Sequence, residues 1–88
     1  MFEYDPDKSA ANFAKHGMDF EQAQMLRHDE RRVDATTYSA GEGRALIIGS
    51  IQGRIWTLAY VMRAEAIRII SVRRARNKKI KAYEREAD

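Results

Sequence analysis

The amino-acid sequence predicts a single α+β domain with two N-terminal helices, an antiparallel β-meander and a C-terminal helix. Two helix-start signals occur within the first twenty residues, three apolar runs joined by short turns follow from residue 44, and Lys, Arg and Ala dominate the last fifteen positions. Eighty-eight residues suffice for one domain with a modest core. The chain is therefore expected to form one domain, residues 1–88.

The N-terminal segment predicts a short strand followed by a helix. Residues 2–4 alternate as a strand does. Asp5 can cap the first free N–H groups of a helix, and Pro6 suits the first helical position because it has no N–H to lose. Gly17 can end that helix in the left-handed conformation. The residues expected to form the inward stripe of this helix are Ala10, Phe13 and Ala14.

A second helix is predicted to begin after Asp19. Gln22, three residues on, completes the pattern of a capping box. The helix should end by His28, where a run of charged residues begins. The side chains expected to face inward are Phe20, Ala23 and Leu26.

The centre of the chain predicts the sheet. Apolar and β-branched runs predict strands at residues 33–38, 44–50, 55–62 and 66–72, the first of them weak and at an edge. Gln52-Gly53 favours a tight hairpin turn, another short turn is expected around Arg63-Ala64, and residues 39–43 are predicted to form a loop. Strands joined by turns this short must be antiparallel.

The last helix is predicted over residues 74–86, where helix-favouring residues replace β-branched ones. Ala75, Lys79 and Tyr83 recur every four residues and would share one helix face. Because the apolar content is thin, this helix should be mostly exposed or completed by a partner.

Charge is distributed unevenly along the chain. Residues 1–42 carry a balance of −4 and residues 43–88 a balance of +7. The segment 63–85 holds nine Lys or Arg against two Glu, which suits the binding of phosphates or of an acidic partner, although a solvated basic helix would give the same pattern. An anionic membrane surface fits poorly, because the last helix lacks a broad apolar face.

Other functional classes find little support in the sequence. No apolar run approaches the roughly 20 residues of a membrane span, no secretory signal pattern is present, and there is no cysteine, so we expect a cytoplasmic protein. His16 and His28 are the only histidines and fall on different predicted elements. No metal site and no cofactor are therefore expected.

Three sequence blocks follow one another in a specific order: Tyr4-Asp5-Pro6-x-Lys8, Lys15-His16-Gly17 and Arg68-Ile69-Ile70-Ser71-x-Arg73-Arg74-Ala75. In this order, and with Tyr83 after them, they resemble the BrnT family of bacterial type II toxins from about residue 2 to residue 84. The resemblance implies a RelE-like fold and a metal-independent ribonuclease toxin that inhibits translation. It also implies a ribbon-helix-helix antitoxin, forming a heterotetramer that contacts operator DNA only through the antitoxin.

The resemblance and the residue chemistry together nominate site residues. The expected catalytic residues are Arg73, Arg68, His16 and Lys79, and the expected RNA-binding residues are Lys15, Arg44, Arg74 and Tyr83. Structural alternatives stay open for several of them. Arg73 could pair with Glu84 or Glu65, Arg68 could form an ion pair such as one with Glu42, and His16 could serve only the C-terminus of its helix. Tyr83 could anchor the last helix, and Trp56 is expected in the core or at the antitoxin interface.

Lys79 departs from the family pattern, which usually has Glu at this position. An ammonium group cannot accept a proton as a carboxylate does, so the departure would attenuate catalysis if that Glu takes part in it. A second hypothesis therefore remains open, in which the chain is a non-catalytic nucleic-acid-binding or corepressor module of the same operon.

Overall fold

A five-stranded mixed sheet forms the centre of the molecule in the computed structural model, which describes residues 1–39 and 42–87. The strands are β1 (Phe2–Glu3), β2 (Val33–Ser39), β3 (Glu42–Ile51), β4 (Arg54–Arg63) and β5 (Ala66–Arg74), and they lie side by side in the order β1-β5-β4-β3-β2. Strands β2 to β5 form the predicted antiparallel meander, with β2 at an edge, whereas β1 pairs with β5 in parallel.

The helices are α1 (Pro6–His16), α2 (Phe20–Ala23), a 3-10 helix (Gln24–His28) and α3 (Asn77–Ala87). With the sheet they confirm the predicted α+β class. Within the described ranges, none of these helices has the length and apolar character that a membrane span needs.

The predicted starts of both N-terminal helices, and the predicted end of the first, are confirmed by their caps, while the second continues from Gln24 to His28 as a 3-10 helix. The Asp7 N–H donates to Asp5 Oδ1 over 2.8 Å, and Gly17 ends α1 with φ of 83°. At the second helix, the Gln22 N–H donates to Asp19 Oδ1 over 2.7 Å while the Asp19 N–H donates to Gln22 Oε1 over 3.2 Å. These caps satisfy N–H groups that the helices themselves cannot.

The prediction for the inner face of α1 is wrong. The residues predicted there are all exposed: Ala10, Phe13 and Ala14. The buried residues are Ser9 and Asn12, because α1 is held by hydrogen bonds. Asn12 Nδ2 donates to the carbonyls of Met18 and Val72, both over 2.7 Å, and Ser9 Oγ accepts from the Phe20 N–H over 2.9 Å.

One apolar cluster lies between the sheet and the N-terminal helices. It contains the residues predicted to face inward from the second helix, which are at most 1% exposed. Its buried members are Met18, Phe20, Ala23, Leu26, Ile47, Trp56, Leu58, Ile69 and Val72. We call the side of the sheet that faces this cluster the helix face, and the opposite side the outer face.

The hairpin between β3 and β4 turns at the predicted place. Gln52 and Gly53 have φ values of 52° and 79°, and two positive φ values are what a type I′ turn requires. The next turn falls one residue later than expected, at positions 64–65. The predicted loop at 39–43 is too long, because Ser39 and Glu42 are register partners at the ends of β2 and β3. Residues 40 and 41 of that prediction lie outside the described residues.

The junction between β5 and α3 also differs from the prediction. Helix α3 begins at Asn77 rather than at residue 74. Arg74 is still the register partner of Trp56, and the Ala75 N–H donates to the Ile55 carbonyl over 2.9 Å. The backbone of residues 74 and 75 therefore bonds to β4, which excludes a helix there despite the helix-favouring composition.

Helix α3 packs lightly against β3 and β2. Its half-buried side chains are Lys79, Ile80, Ala82 and Tyr83, while the intervening charged residues are exposed. The thin apolar face predicted for this helix thus rests on the sheet itself.

Candidate nucleic-acid interface

An extra residue in β5 determines which arginine reaches the outer face. The register of β4 against β5 shifts between Ala59 and Tyr60, where β5 contains one residue more than its partner. Ile69 and Val72 consequently both point into the core although they are three positions apart. Side chains alternate along a strand, so the bulge places Arg73 on the outer face. Without the bulge, side chains would alternate strictly from Ile69, and Arg73 would point into the core.

A strongly basic cavity, here called the basic pocket, lies on the outer face beside the first turn of α3. Its volume is about 350 Å³. Six cationic side chains line it: Arg44, Arg73, Arg74, Arg76, Lys78 and Lys79. The other lining residues are Thr37, Leu46, Thr57, Ala59 and Ser71. Among the described residues no carboxylate lines this cavity, so its field favours an anion.

Two buried polar atoms of the basic pocket have no partner. Within the described part of the chain, Arg44 Nε and Thr57 Oγ1 are buried without a hydrogen bond. A buried polar group left without a partner costs about 1–3 kcal/mol. Thr57 is the register partner of Arg73, so a donor on β4 lies beside the arginine on β5. Because both atoms are buried, a rotation of either side chain would bring it to donate to an oxyanion in the pocket.

A second and larger cavity, the wide cleft, has a volume of about 1170 Å³. It lies where the N-terminal helices, the β3–β4 turn and α3 meet. Its lining residues are His16, Gly17, Met18, Gln22, Met25, His28, Asp29, Ser50, Ile51, Gln52, Arg54, Trp56, Arg74 and Tyr83. Arg74 lines both cavities, and its Cζ lies 5.7 Å from the centroid of the Trp56 ring. This arginine is the link between the two cavities.

Asp29 connects several residues of the wide cleft's wall by hydrogen bonds. Its Oδ2 accepts from Tyr83 OH over 2.7 Å and from the Ser50 N–H over 2.8 Å, and its Oδ1 accepts from the Arg31 N–H over 2.9 Å. Burial alone would raise the pKa of Asp29, but these hydrogen bonds bring the pKa below its ordinary value of 3.8. Burial, followed by the bond to this carboxylate, raises the pKa of Tyr83. Asp29 is therefore a bonded anion rather than a free general base.

The structure divides the predicted site residues among several places. The basic pocket brings together Arg73, Arg44 and Lys79, and Arg74 lines both cavities. Of the other predicted residues, the wide cleft contains His16 and Tyr83. Because Ala75 precedes α3 and Tyr83 lines the other cavity, the single helix face predicted for Ala75, Lys79 and Tyr83 does not line one site.

Two predicted residues lie away from both cavities. Arg68 Nη1 is 3.6 Å from Glu3 Oε1, so its ion pair joins β5 to β1. Lys15 is exposed on α1. Neither side chain lines the basic pocket or the wide cleft.

Some residues of the two cavities were not nominated from the sequence. Thr57 is the one threonine of a mostly apolar strand, and only knowledge of its facing direction would have singled it out. Arg76 and Lys78 belong to the basic run near the C-terminus, and that run was the sequence signal that could have identified them as binding residues. Asp29 lies in a run of charged residues, where nothing distinguishes it.

The described residues contain no group of three or more His, Asp or Glu side chains arranged to hold a metal ion. A family model described as the ribonuclease toxin BrnT of a type II toxin–antitoxin system matches residues 4–79. A search of curated proteins finds no match to the chain. The matched range includes all six cations of the basic pocket.

Proposed function

Because the chain belongs to the BrnT family of ribonuclease toxins of type II toxin–antitoxin systems, we propose that it is an endoribonuclease that cleaves RNA in the basic pocket. The observation that carries this proposal is the pair of unpartnered buried donors, Arg44 Nε and Thr57 Oγ1, beside Arg73. They suit the oxygen atoms of a phosphodiester that is surrounded by arginine and lysine.

The proposed reaction is metal-independent general acid–base chemistry on the RNA strand. The ribose 2′-oxygen attacks the adjacent phosphorus as its proton leaves, the bond from phosphorus to the 5′-oxygen breaks, and the leaving oxygen takes up a proton. The products are a 2′,3′-cyclic phosphate and a 5′-hydroxyl. Negative charge builds on the phosphate during attack, and Arg73 and Arg44 would stabilise it.

The cations of the pocket supply charge stabilisation, and its lysine ammonium groups are the proton donors available there to the leaving oxygen. No imidazole or carboxylate lines it among the described residues. Lys79, at a position where the family resemblance implies Glu, is half-buried in the pocket wall. A carboxylate at this point would face the phosphate site directly, which links the departure from the family pattern to the reaction.

A cleavage assay tests the proposal. The purified protein is incubated with single-stranded RNA in EDTA, with and without ribosomes, and the 3′ ends are analysed for cyclic phosphate. We expect cleavage in chelator, with cyclic-phosphate ends. Cleavage that is abolished by chelator and restored by magnesium would contradict the metal-independent mechanism. Intact RNA under every condition would contradict the proposal that the protein is an endoribonuclease.

The partner proposed is a ribbon-helix-helix antitoxin. An acidic, partly apolar segment of it would lie over the basic pocket and α3, which screens the cations and blocks RNA at once. The complex would be a heterotetramer in the cytoplasm that contacts operator DNA through the antitoxin, and the free toxin would inhibit translation. Binding should weaken as salt rises, and salt-independent binding to the N-terminal helices would contradict this arrangement.

A second candidate function rests on Lys79 alone. With a cation where the family usually has a carboxylate, the pocket could bind nucleic acid without cleaving it, as part of a repressor complex. This candidate predicts tight, salt-sensitive RNA binding with no product in the assay above.

A further inference from the structure

The wide cleft contains a side chain built for stacking. The Arg74 guanidinium lies over the Trp56 ring at 5.7 Å. Trp56 is only 7% exposed, whereas Arg74 is exposed at the end of β5. The indole therefore lies beside the guanidinium, and the Arg74 side chain as a whole remains exposed to solvent. Nucleobases of single-stranded RNA stack on such guanidinium planes.

The position of Arg74 connects this plane to the phosphate site. Arg74 follows Arg73 directly, and the two point to opposite faces of the sheet. Arg74 alone lines both the basic pocket and the wide cleft among the residues that the structure describes. If a phosphate of an RNA strand lies at Arg73, the next base of that RNA would therefore lie at Arg74.

The dimensions and lining of the two cavities fit this division. The basic pocket has about 350 Å³, which suits a phosphate with its sugar, and the wide cleft has about 1170 Å³, which leaves room for a whole nucleotide. Gln22 and Gln52 bring amide donors and acceptors to the cleft. Its carboxylate, Asp29, accepts three hydrogen bonds, and the cationic Arg54 and Arg74 line the same cleft, so repulsion of the RNA backbone is offset.

We propose that the wide cleft binds the nucleobase next to the scissile phosphate, stacked on the Arg74 guanidinium. The inference rests on the proposed function, since it places one RNA strand across both cavities. It adds a base-binding subsite to a pocket that otherwise recognises only the backbone.

Trp56 provides the measurement, because it is the only tryptophan of the chain and lines the cleft. A short 2′-O-methyl oligoribonucleotide, which cannot undergo attack by the 2′-oxygen, is titrated while tryptophan fluorescence is recorded. A matching oligomer with abasic sites and a glutamate homopolymer are titrated in parallel. We expect a saturable change with the base-bearing oligomer and a much weaker one with the other two.

The variant Arg74→Lys keeps the positive charge and removes the planar guanidinium group. We expect it to lower affinity for the base-bearing oligomer about tenfold, ~1.4 kcal/mol, within the range of one stacked base. Affinity for the abasic oligomer should change little. Arg63→Lys, at an exposed arginine outside both cavities, is the matched control and should leave both affinities unchanged.

The possible results separate this inference from the cleavage proposal. If Arg74→Lys binds both oligomers like Arg63→Lys does, the stacking subsite is wrong even when the parent still cleaves RNA. An equal response to the glutamate homopolymer would also overturn it and assign the cleft to an acidic protein partner. If the parent shows the base-dependent response but Arg73→Ala cleaves like the parent, the cleft still binds a base, but the proposed cleavage site and the place of that base next to the scissile phosphate are wrong.

Discussion

Arg73 reaches the outer face of the sheet only because β5 contains one more residue than β4 opposite it. The sequence nominated this arginine from its place after a strand, but it could not show the bulge, since a bulge depends on the pairing of two strands. Local composition therefore identified the residue, and the strand register explains why it meets Arg44 and Thr57.

The first prediction concerns this arginine. Arg73→Ala should slow RNA cleavage by about 10²–10³-fold, the loss seen when one group that stabilises transition-state charge is removed. Folding should persist, because an exposed arginine contributes little stability. Cleavage rates are measured beside circular dichroism, with Arg63→Ala as the exposed control. If the variant cleaves at the parent rate, the reaction site lies elsewhere, and His16 of the wide cleft is the next candidate.

The second prediction concerns Lys79, which is half-buried in the pocket wall. Lys79→Glu should raise the cleavage rate, because it introduces a carboxylate that can accept a proton next to the phosphate site. The matched control is Lys81→Glu, which makes the same charge change at an exposed position of α3. Equal rates in the two variants would show that only the overall charge of the helix matters.

The third prediction concerns the buried amide of Asn12. Asn12→Ala removes the bonds from Nδ2 to the Met18 and Val72 carbonyls and the 3.3 Å bond that Oδ1 accepts from the Val72 N–H. Backbone groups would be left buried without partners, so the free energy of unfolding should fall by about 2–4 kcal/mol. Urea unfolding measures it, and Lys8→Ala on the exposed side of α1 should change it little.

The same residue explains an error made from sequence. Hydrophobicity placed Phe13 inward, whereas Asn12 occupies the buried side of α1. A polar side chain is tolerated there because backbone groups of Met18 and of Val72, the latter 60 positions away, bond to it, and no helix-period pattern reports those groups. The caps at Asp5 and Asp19 were predictable, since they depend on residues two or three positions away.

At the scale of elements, α3 is attached to the sheet by a thin apolar face and by the bond from Tyr83 OH to Asp29 Oδ2. The structural alternative for Tyr83, an anchor of the last helix, agrees with this contact. The start of α3 was misplaced in sequence because Arg74 and Ala75 favour a helix, yet their backbone bonds to β4. Pairing across the sheet outweighed local propensity there.

The fourth prediction follows from that bond. Tyr83→Phe keeps the ring and removes the hydroxyl, so the stability of α3 should fall by about 1 kcal/mol. Faster hydrogen exchange of the α3 amides would report it. Phe2→Leu, at an aromatic residue of β1 far along the sheet order, serves as a control that should leave α3 exchange unchanged. Unaltered exchange in Tyr83→Phe would contradict an anchoring role.

The pH dependence of α3 has a defined sign. The folded pKa of Asp29 lies below its ordinary 3.8, so the stability it contributes is present above that value and is lost as pH falls through the folded pKa. The pKa of Tyr83 is raised above 10.0, so its contribution is present below that value and is lost as pH rises through the folded pKa. In Tyr83→Phe, both the loss of stability at low pH and the loss of stability at high pH should be smaller.

At the scale of the whole molecule, the fold class and the meander followed from sequence, whereas the two cavities did not. The parallel pairing of β1 with β5, through the Ile67 N–H and the Met1 carbonyl at 2.7 Å, joins residues more than sixty positions apart. The basic pocket likewise takes cations from β3, β5 and α3. The charge count predicted a basic surface, and only the assembled sheet could show that part of it forms a pocket.

The last prediction concerns the electrostatics of that surface. Residues 43–88 carry a balance of +7, and six of their cations line the basic pocket. Each phosphate neutralised on a single strand contributes about −0.7 to the slope of log K against log salt, so the full set gives a slope no steeper than about −4. Arg73→Ala should reduce the slope by about 0.7, and Arg63→Ala should not change it. Fluorescence anisotropy of the 2′-O-methyl oligomer over a salt series measures these slopes. An unchanged slope in Arg73→Ala would mean that the backbone binds the basic half of the chain outside the basic pocket.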